Sequence, residues 1–398
     1  MKKNNFWQNK FTLNKLPWNS MRLGILLICL TLIGFFVGRM QALVPKGNTV
    51  SASQLKRMLE RKNFTFINVH TPYEGEIEKT DLFIPFDQIV ENSSLLPKDK
   101  NAPIILYCKT GRMSTEAIGT LQKLGYTNVR HLSGGMDAWQ KGGGKLLDLS
   151  KLGDTVLPTS GVELPLVWGN LGKQLVDAGV INLSEFQKTV KMTDEQQAIF
   201  SGNSQTPIKI DATNSQFVVD VLWALGLSQK SKVYDEGPMG KEEKANVGNF
   251  ASTGGWTLAK GNAVNYLNRF DFIPLTGEQQ ARVAQIAKNV YRPCCGNSTW
   301  FPDCNHGMAA LAVIELLVSQ NVDDATIYKK VLGFNSFWFP DNYLTVATYF
   351  ARQGMSWDKV DAKEVVGATY SSAQGAGEIT KKVGPLPYRP KSAGSCGA

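Results

Sequence analysis

The chemistry of this sequence is concentrated in its thiols. Six cysteines in 398 residues are too few for a disulfide scaffold, so each is read from its neighbours. Cys108 opens the run Cys108-Lys109-Thr110-Gly111-Arg112-Met113-Ser114, directly after the β-rich stretch Ile104–Tyr107 and directly before a segment of helical periodicity. A thiol on a tight turn at a helix N-terminus faces converging backbone N–H groups, which favour the thiolate and bind an anion. Lys109 and Arg112 add positive charge. This arrangement suits a nucleophilic cysteine attacking an anionic substrate whose leaving group also needs charge stabilisation.

A second group lies far along the chain. The loop YRPCCGNSTWFPDCNHGM places Cys294, Cys295, Cys304 and His306 within thirteen positions. Three readings stand side by side. Cys304 could pair with Cys294 or Cys295 as a disulfide, structural or redox-active. The three soft donors and the imidazole could hold Zn or Cu, although C-C-x8-C-x-H is no standard zinc-ribbon spacing. The thiols could also act as a relay. Cys396 sits near the end in the small-residue tail KSAGSCGA, where it could sweep a wide volume. His70 and His131, each isolated in sequence, read as structural.

The elements that must position these residues follow from the pattern. Residues 1–62 hold eleven Lys/Arg against the single acid Glu60, so the net charge of +9 belongs to the N-terminal segment and the remainder is close to neutral. That distribution gives no support to a nucleic-acid-binding domain. Residues 1–22 read as a basic cytoplasmic leader. Leu23 to Gly38 runs for 16 residues without a charge between Arg22 and Arg39, a helix of about 24 Å that flanking arginines extend towards the ~30 Å hydrocarbon core. The basic leader puts the N-terminus in the cytoplasm and the rest of the chain outside. A single-pass signal anchor is expected, uncleaved because the residues after Gly38 make a poor cleavage site.

Ser51–Lys62 reads as a short helix, Phe64–Val69, Ile104–Tyr107 and Val129–Leu132 as strands, and Ser114–Leu124 as a helix. Strands alternating with helices imply a parallel sheet, whose ligands lie beyond the carboxyl ends of the strands. Cys108 occupies such an end. Residues 148–162 read as a linker, and 163–388 as a separate all-α domain with the Cys/His loop, its helices expected over 184–190, 193–200, 215–225, 276–291, 307–319, 323–331 and 343–351. The tail is 389–398.

Residues 48–147 resemble a single-domain rhodanese, an α/β sulfurtransferase. The resemblance is carried by FTFINVHTPYEGEI, FIPFDQI, IILYCKTGRMS and LGYTNVRHLSGGMDAWQKGG. It implies that Cys108 takes a sulfane sulfur as a persulfide and that Lys109, Thr110, Gly111, Arg112, Met113 and Ser114 cradle it, with no cofactor. Asn68 and His70 stand where many rhodaneses carry Asp and Arg. Cys-dependent phosphatases use a related loop with an Arg six positions after the nucleophile, a position taken here by Ser114.

The expected protein is therefore a membrane-anchored, extracytoplasmic sulfurtransferase. It would move sulfur from thiosulfate or a persulfide donor through Cys108 to a thiol acceptor, with Cys396 or the 294/295/304 thiols as candidate internal acceptors. The alternative is a non-catalytic persulfide carrier or a metal- or partner-binding protein acting through Cys294, Cys295, Cys304 and His306.

Overall fold

The computed structural model describes residues 47–388. The expected anchor at 23–38, the basic leader and Cys396 lie outside the described residues, and among the described residues no helix is long and apolar enough to cross a membrane. The described residues from Val50 onward form one compact unit.

The site is carried by a parallel sheet. Strands β1 (Thr65–Asn68), β2 (Leu82–Phe83), β3 (Ile104–Tyr107) and β4 (Val129–Leu132) are arranged β4-β3-β1-β2, and Val50 accepts a hydrogen bond from Ser133 N–H at 2.9 Å along the β4 edge. Both faces are covered, as expected for parallel strands. Ile104 and Leu106 point to one side with Ala117, Ile118 and Leu121 of the helix Arg112–Lys123. Ile105 and Tyr107 point to the other, onto Leu55 and Leu59 of the helix Ala52–Glu60 and Met136 and Trp139 of the helix Gly135–Lys141. The near-continuous apolar run of β3 follows from this two-sided burial.

The C-terminal region is mostly helical, with the expected helices largely in place. Ser215–Ser228 and Asn305–Ser319 form its centre, flanked by Gly277–Ala287, Asp324–Trp338, Pro340–Arg352 and Ala373–Val383. Three expectations need correction. The region is not all-α: Val162–Gly169 (β5) and Ser204–Ile210 (β6) pair antiparallel. Pro165 and Pro207 hid them from a strand reading, yet each strand of a two-stranded sheet has an open side where the missing N–H costs nothing. Residues 148–162 are not a free linker, since Leu149–Lys151 and Leu152–Val156 are helical turns with Leu149 and Val156 buried.

Nor is the helical region separate from the α/β part. Arg352, 4% exposed, closes a bidentate ion pair on fully buried Glu76 at 2.9 Å to each carboxylate oxygen. The same guanidinium donates to the carbonyls of Asp81 and Val383 at 2.8 Å. Its own carbonyl accepts from Lys79 N–H at 3.0 Å.

Candidate active site

β3 ends at Tyr107, and Cys108 begins the turn with only 1% of its surface exposed. Gly111 makes that turn possible: at φ 107° it occupies a conformation that side chains avoid, and from there its N–H donates to Cys108 Sγ at 3.1 Å. Gly111 also caps the helix Arg112–Lys123, so the sulfur lies against a helix N-terminus. Ser114, in the first turn, stands 3.6 Å from Sγ and donates to the Gly111 carbonyl at 3.0 Å.

Two groups outside the loop, His131, read from the sequence as structural, and the LSGG glycines, complete the cradle. His131, on β4, places Nδ1 2.9 Å from Ser114 Oγ, and burial lowers its pKa, keeping the ring neutral. A ring protonated at Nδ1 donates to Oγ and leaves the serine proton for Gly111 or for sulfur. The loop Ser133-Gly134-Gly135 then locks the turn from outside. Met136 N–H donates to the Cys108 carbonyl at 2.9 Å, and Asp137 N–H to the Lys109 carbonyl at 3.1 Å. A Cβ at Gly135, where φ is 56°, would stand 2.1 Å from the Cys108 oxygen. The glycine pair in LSGG was the available signal.

The rim is charged and exposed. Lys109 pairs with Glu74 at 2.5 Å, and His70 Nε2 approaches the other Glu74 oxygen at 3.4 Å. These contacts, Lys109 first and His70 second, hold the Glu74 carboxyl below its usual range. Arg112 pairs with Glu116 at 2.6 Å and lies over the Phe86 ring at 5.6 Å. Thr110 is exposed and Met113 packs on the sheet core. Asn68 makes backbone bonds to Gly75 and His70, so no ion pair forms at that position.

The other cluster also assembles in space. Cys294, Cys295 and Cys304 are free thiols, with Cys294 Sγ and Cys304 Sγ 3.4 Å apart. Sγ of both, together with a ring nitrogen of His306, lie within 4.8 Å of one another. Cys304 N-caps the helix Asn305–Ser319 and accepts from Gly307 N–H at 3.4 Å and Arg292 Nε at 3.1 Å. Hydrogen bonds from Cys294 and Cys295, then His306 and the Arg292 charge, push its thiol down.

Residues 51–142 match the Rhodanese-like domain family. Over 101 residues the chain is 37% identical to a probable adenylyltransferase/sulfurtransferase of Mycobacterium tuberculosis, covering 24% of this chain and 25% of that protein. A sulfurtransferase of Allochromatium vinosum is 31% identical over 96 residues, 23% of this chain and 87% of its own. The thiosulfate sulfurtransferase of Escherichia coli K12 is 32% identical over 71 residues, 17% of this chain and 68% of its own. A solved rhodanese-like domain protein from Staphylococcus aureus is 27% identical, covering 25% of this chain and 99% of its own with a TM-score of 0.22. The chain thus spans about a quarter of the mycobacterial relative, and the family match falls on the α/β part.

Proposed function

We propose that this chain, which belongs to the rhodanese-like family through residues 51–142, transfers sulfane sulfur through a persulfide on Cys108 while anchored in a membrane by residues 23–38. The Cys108 thiolate attacks the outer sulfur of thiosulfate or of a persulfide. The donor S–S bond breaks, and its electron pair leaves on sulfite or on the donor thiolate. An acceptor thiolate then attacks the outer sulfur of the Cys108 persulfide, and the pair of that S–S bond returns to Cys108.

Each part of the site has a place in this cycle. The Gly111 N–H and the helix N-terminus stabilise negative charge on sulfur in both half-reactions. Lys109 and Arg112 make exposed ion pairs, their side chains 47% and 62% accessible. Such pairs contribute about 0–1 kcal/mol, so both cations are free to turn to an incoming sulfonate. Glu74 competes for Lys109 and returns it when sulfite departs. The dry, neutral Ser114–His131 pair holds the turn without adding a competing charge.

The observation that carries the proposal is the Gly111 N–H bond to the buried Cys108 sulfur at the carboxyl end of β3. The test is intact mass of the reduced full chain after incubation with thiosulfate, followed by digestion. One added sulfur on the peptide holding Cys108, absent in Cys108→Ser, is the expected result. No added sulfur on verified free thiols would overturn it. The anchor is tested separately: the chain should stay with membranes after alkaline washing, and externally added protease should reach residues beyond 47 in cells stripped of their outer layers.

A further inference from the structure

The Cys/His cluster of the helical region has no part in the Cys108 cycle, and its geometry is that of a ligand set. Two sulfurs 3.4 Å apart are well beyond the ~2.05 Å of a disulfide. They are close to the separation of two thiolates on one tetrahedral cation, about 3.8 Å for Zn–S bonds of about 2.3 Å. His306 is 6% exposed, and its Nε2 is buried with no hydrogen-bond partner. An orphaned buried nitrogen is costly. A metal at the cluster would take up a lone pair of this buried imidazole.

The surrounding shell is already built. Arg292, fully buried, donates to Cys304 Sγ and is itself held by Asp303 at 2.5 Å and by the carbonyls of Asn297 and Phe301. Gly307 makes room for it, since a Cβ there would stand 2.7 Å from the guanidinium carbon. Phe339 and Trp338 pack on the His306 ring with centroids 4.5 and 5.8 Å away. Such support around first ligands is what fixes metal affinity. Arg292 and Asp303 cancel each other, so two thiolates and a divalent cation leave the site neutral.

We propose that Cys294, Cys304 and His306 bind a thiophilic divalent cation of the Zn2+ class, with the fourth position open on the exposed Cys294 side. Binding replaces two S–H protons by two S–metal bonds and releases both protons to solvent. No electron is exchanged. Cys295, in the second triad with Asp303 and Cys304, lies beside the site.

The test uses the reduced, chelator-stripped full chain. Zn2+ is titrated against a chromophoric chelator, and Co2+ is added in parallel to read tetrahedral d–d bands and thiolate-to-metal charge transfer. One equivalent of tightly bound metal with both Co2+ signatures is expected, unchanged in Cys108→Ser. Cys304→Ser and His306→Gln should weaken binding ~100-fold or more. Because His306 is buried and Cys304 half-buried, the double variant Cys294→Ser, Cys295→Ser, at one exposed and one half-buried position, serves as the fold-preserving check and should weaken the charge-transfer band. Absence of stoichiometric metal on chains with all three thiols titratable would overturn the proposal. So would a Cys294–Cys304 disulfide that reforms after reduction in the presence of Zn2+, or Co2+ bands of unchanged intensity in the double variant. Sulfur loading at Cys108 is a separate readout, so either reading can fail without the other.

Discussion

At the scale of single residues, the site depends on a thiol held by groups that carry no charge. Ser114 touches the turn, the sulfur and His131 at once. Ser114→Ala removes a bond worth ~1 kcal/mol from the cradle, so sulfur loading of Cys108 should slow by roughly fivefold with the fold intact by circular dichroism. His131 titrates with a sign that can be stated. Burial depresses its pKa below the ordinary 6.5, so the folded state resists protonation and the unfolded state does not. The stability it contributes is complete above that ordinary value and is lost as pH falls through the lower, folded value. Urea unfolding between about pH 5 and 7.5 should show this acid loss in the wild type and a shallower one in His131→Gln. An equal slope in both would assign the loss elsewhere. Cys108 and its loop were legible because their types and order define the chemistry. His131 was not, because 17 residues and a whole helix separate it from Ser114.

Among elements, the decisive contact in the helical region is the approach of Ser215–Ser228 to Asn305–Ser319. Gly226 lies so close to the second helix that a Cβ would meet the Met308 carbonyl oxygen at 2.1 Å. Gly226→Ala should therefore cost about 1–3 kcal/mol through overpacking, read as a lower urea midpoint with an unchanged slope. The same helix begins at Cys304, so the variant should also disturb metal uptake at its N-terminus. Two other helices of the region, Asp194–Ala198 and Gly277–Ala287, start at capping boxes whose spacing is visible in the sequence: Thr193 with Gln196 and Thr276 with Gln279 form the reciprocal bonds. The β5–β6 pair was not readable, because proline argues against a strand until the topology reveals which side of it is unpaired.

For the molecule as a whole, the ion pair of Glu76 and Arg352 joins two parts that look independent in sequence. Both groups are buried and hydrogen-bonded, and 276 residues separate them. Arg352→Ala leaves the Glu76 carboxylate without its partner in a dry interior. The expected loss is roughly 3–5 kcal/mol, with the α/β part and the helical region unfolding in one transition in the wild type and in two in the variant. Differential scanning calorimetry distinguishes these outcomes, and two transitions in the wild type would contradict the coupling. The same argument predicts that residues 48–147 expressed alone are much less stable than within the chain.

By itself the sequence determined whatever depends on local order: the strand–turn–helix that presents Cys108, the alternation that makes a parallel sheet, the long helices and their caps. These are set by neighbours within a few residues, where backbone geometry and burial periodicity act directly. Tertiary structure alone decided which distant groups share a dry space. It set His131 against Ser114, Arg352 into the α/β part, and Cys294 and Cys304 beside the buried imidazole of His306. Those pairings follow from packing of whole elements, and the free energy of burying a charge or an imidazole is defined only once the walls around it are in place.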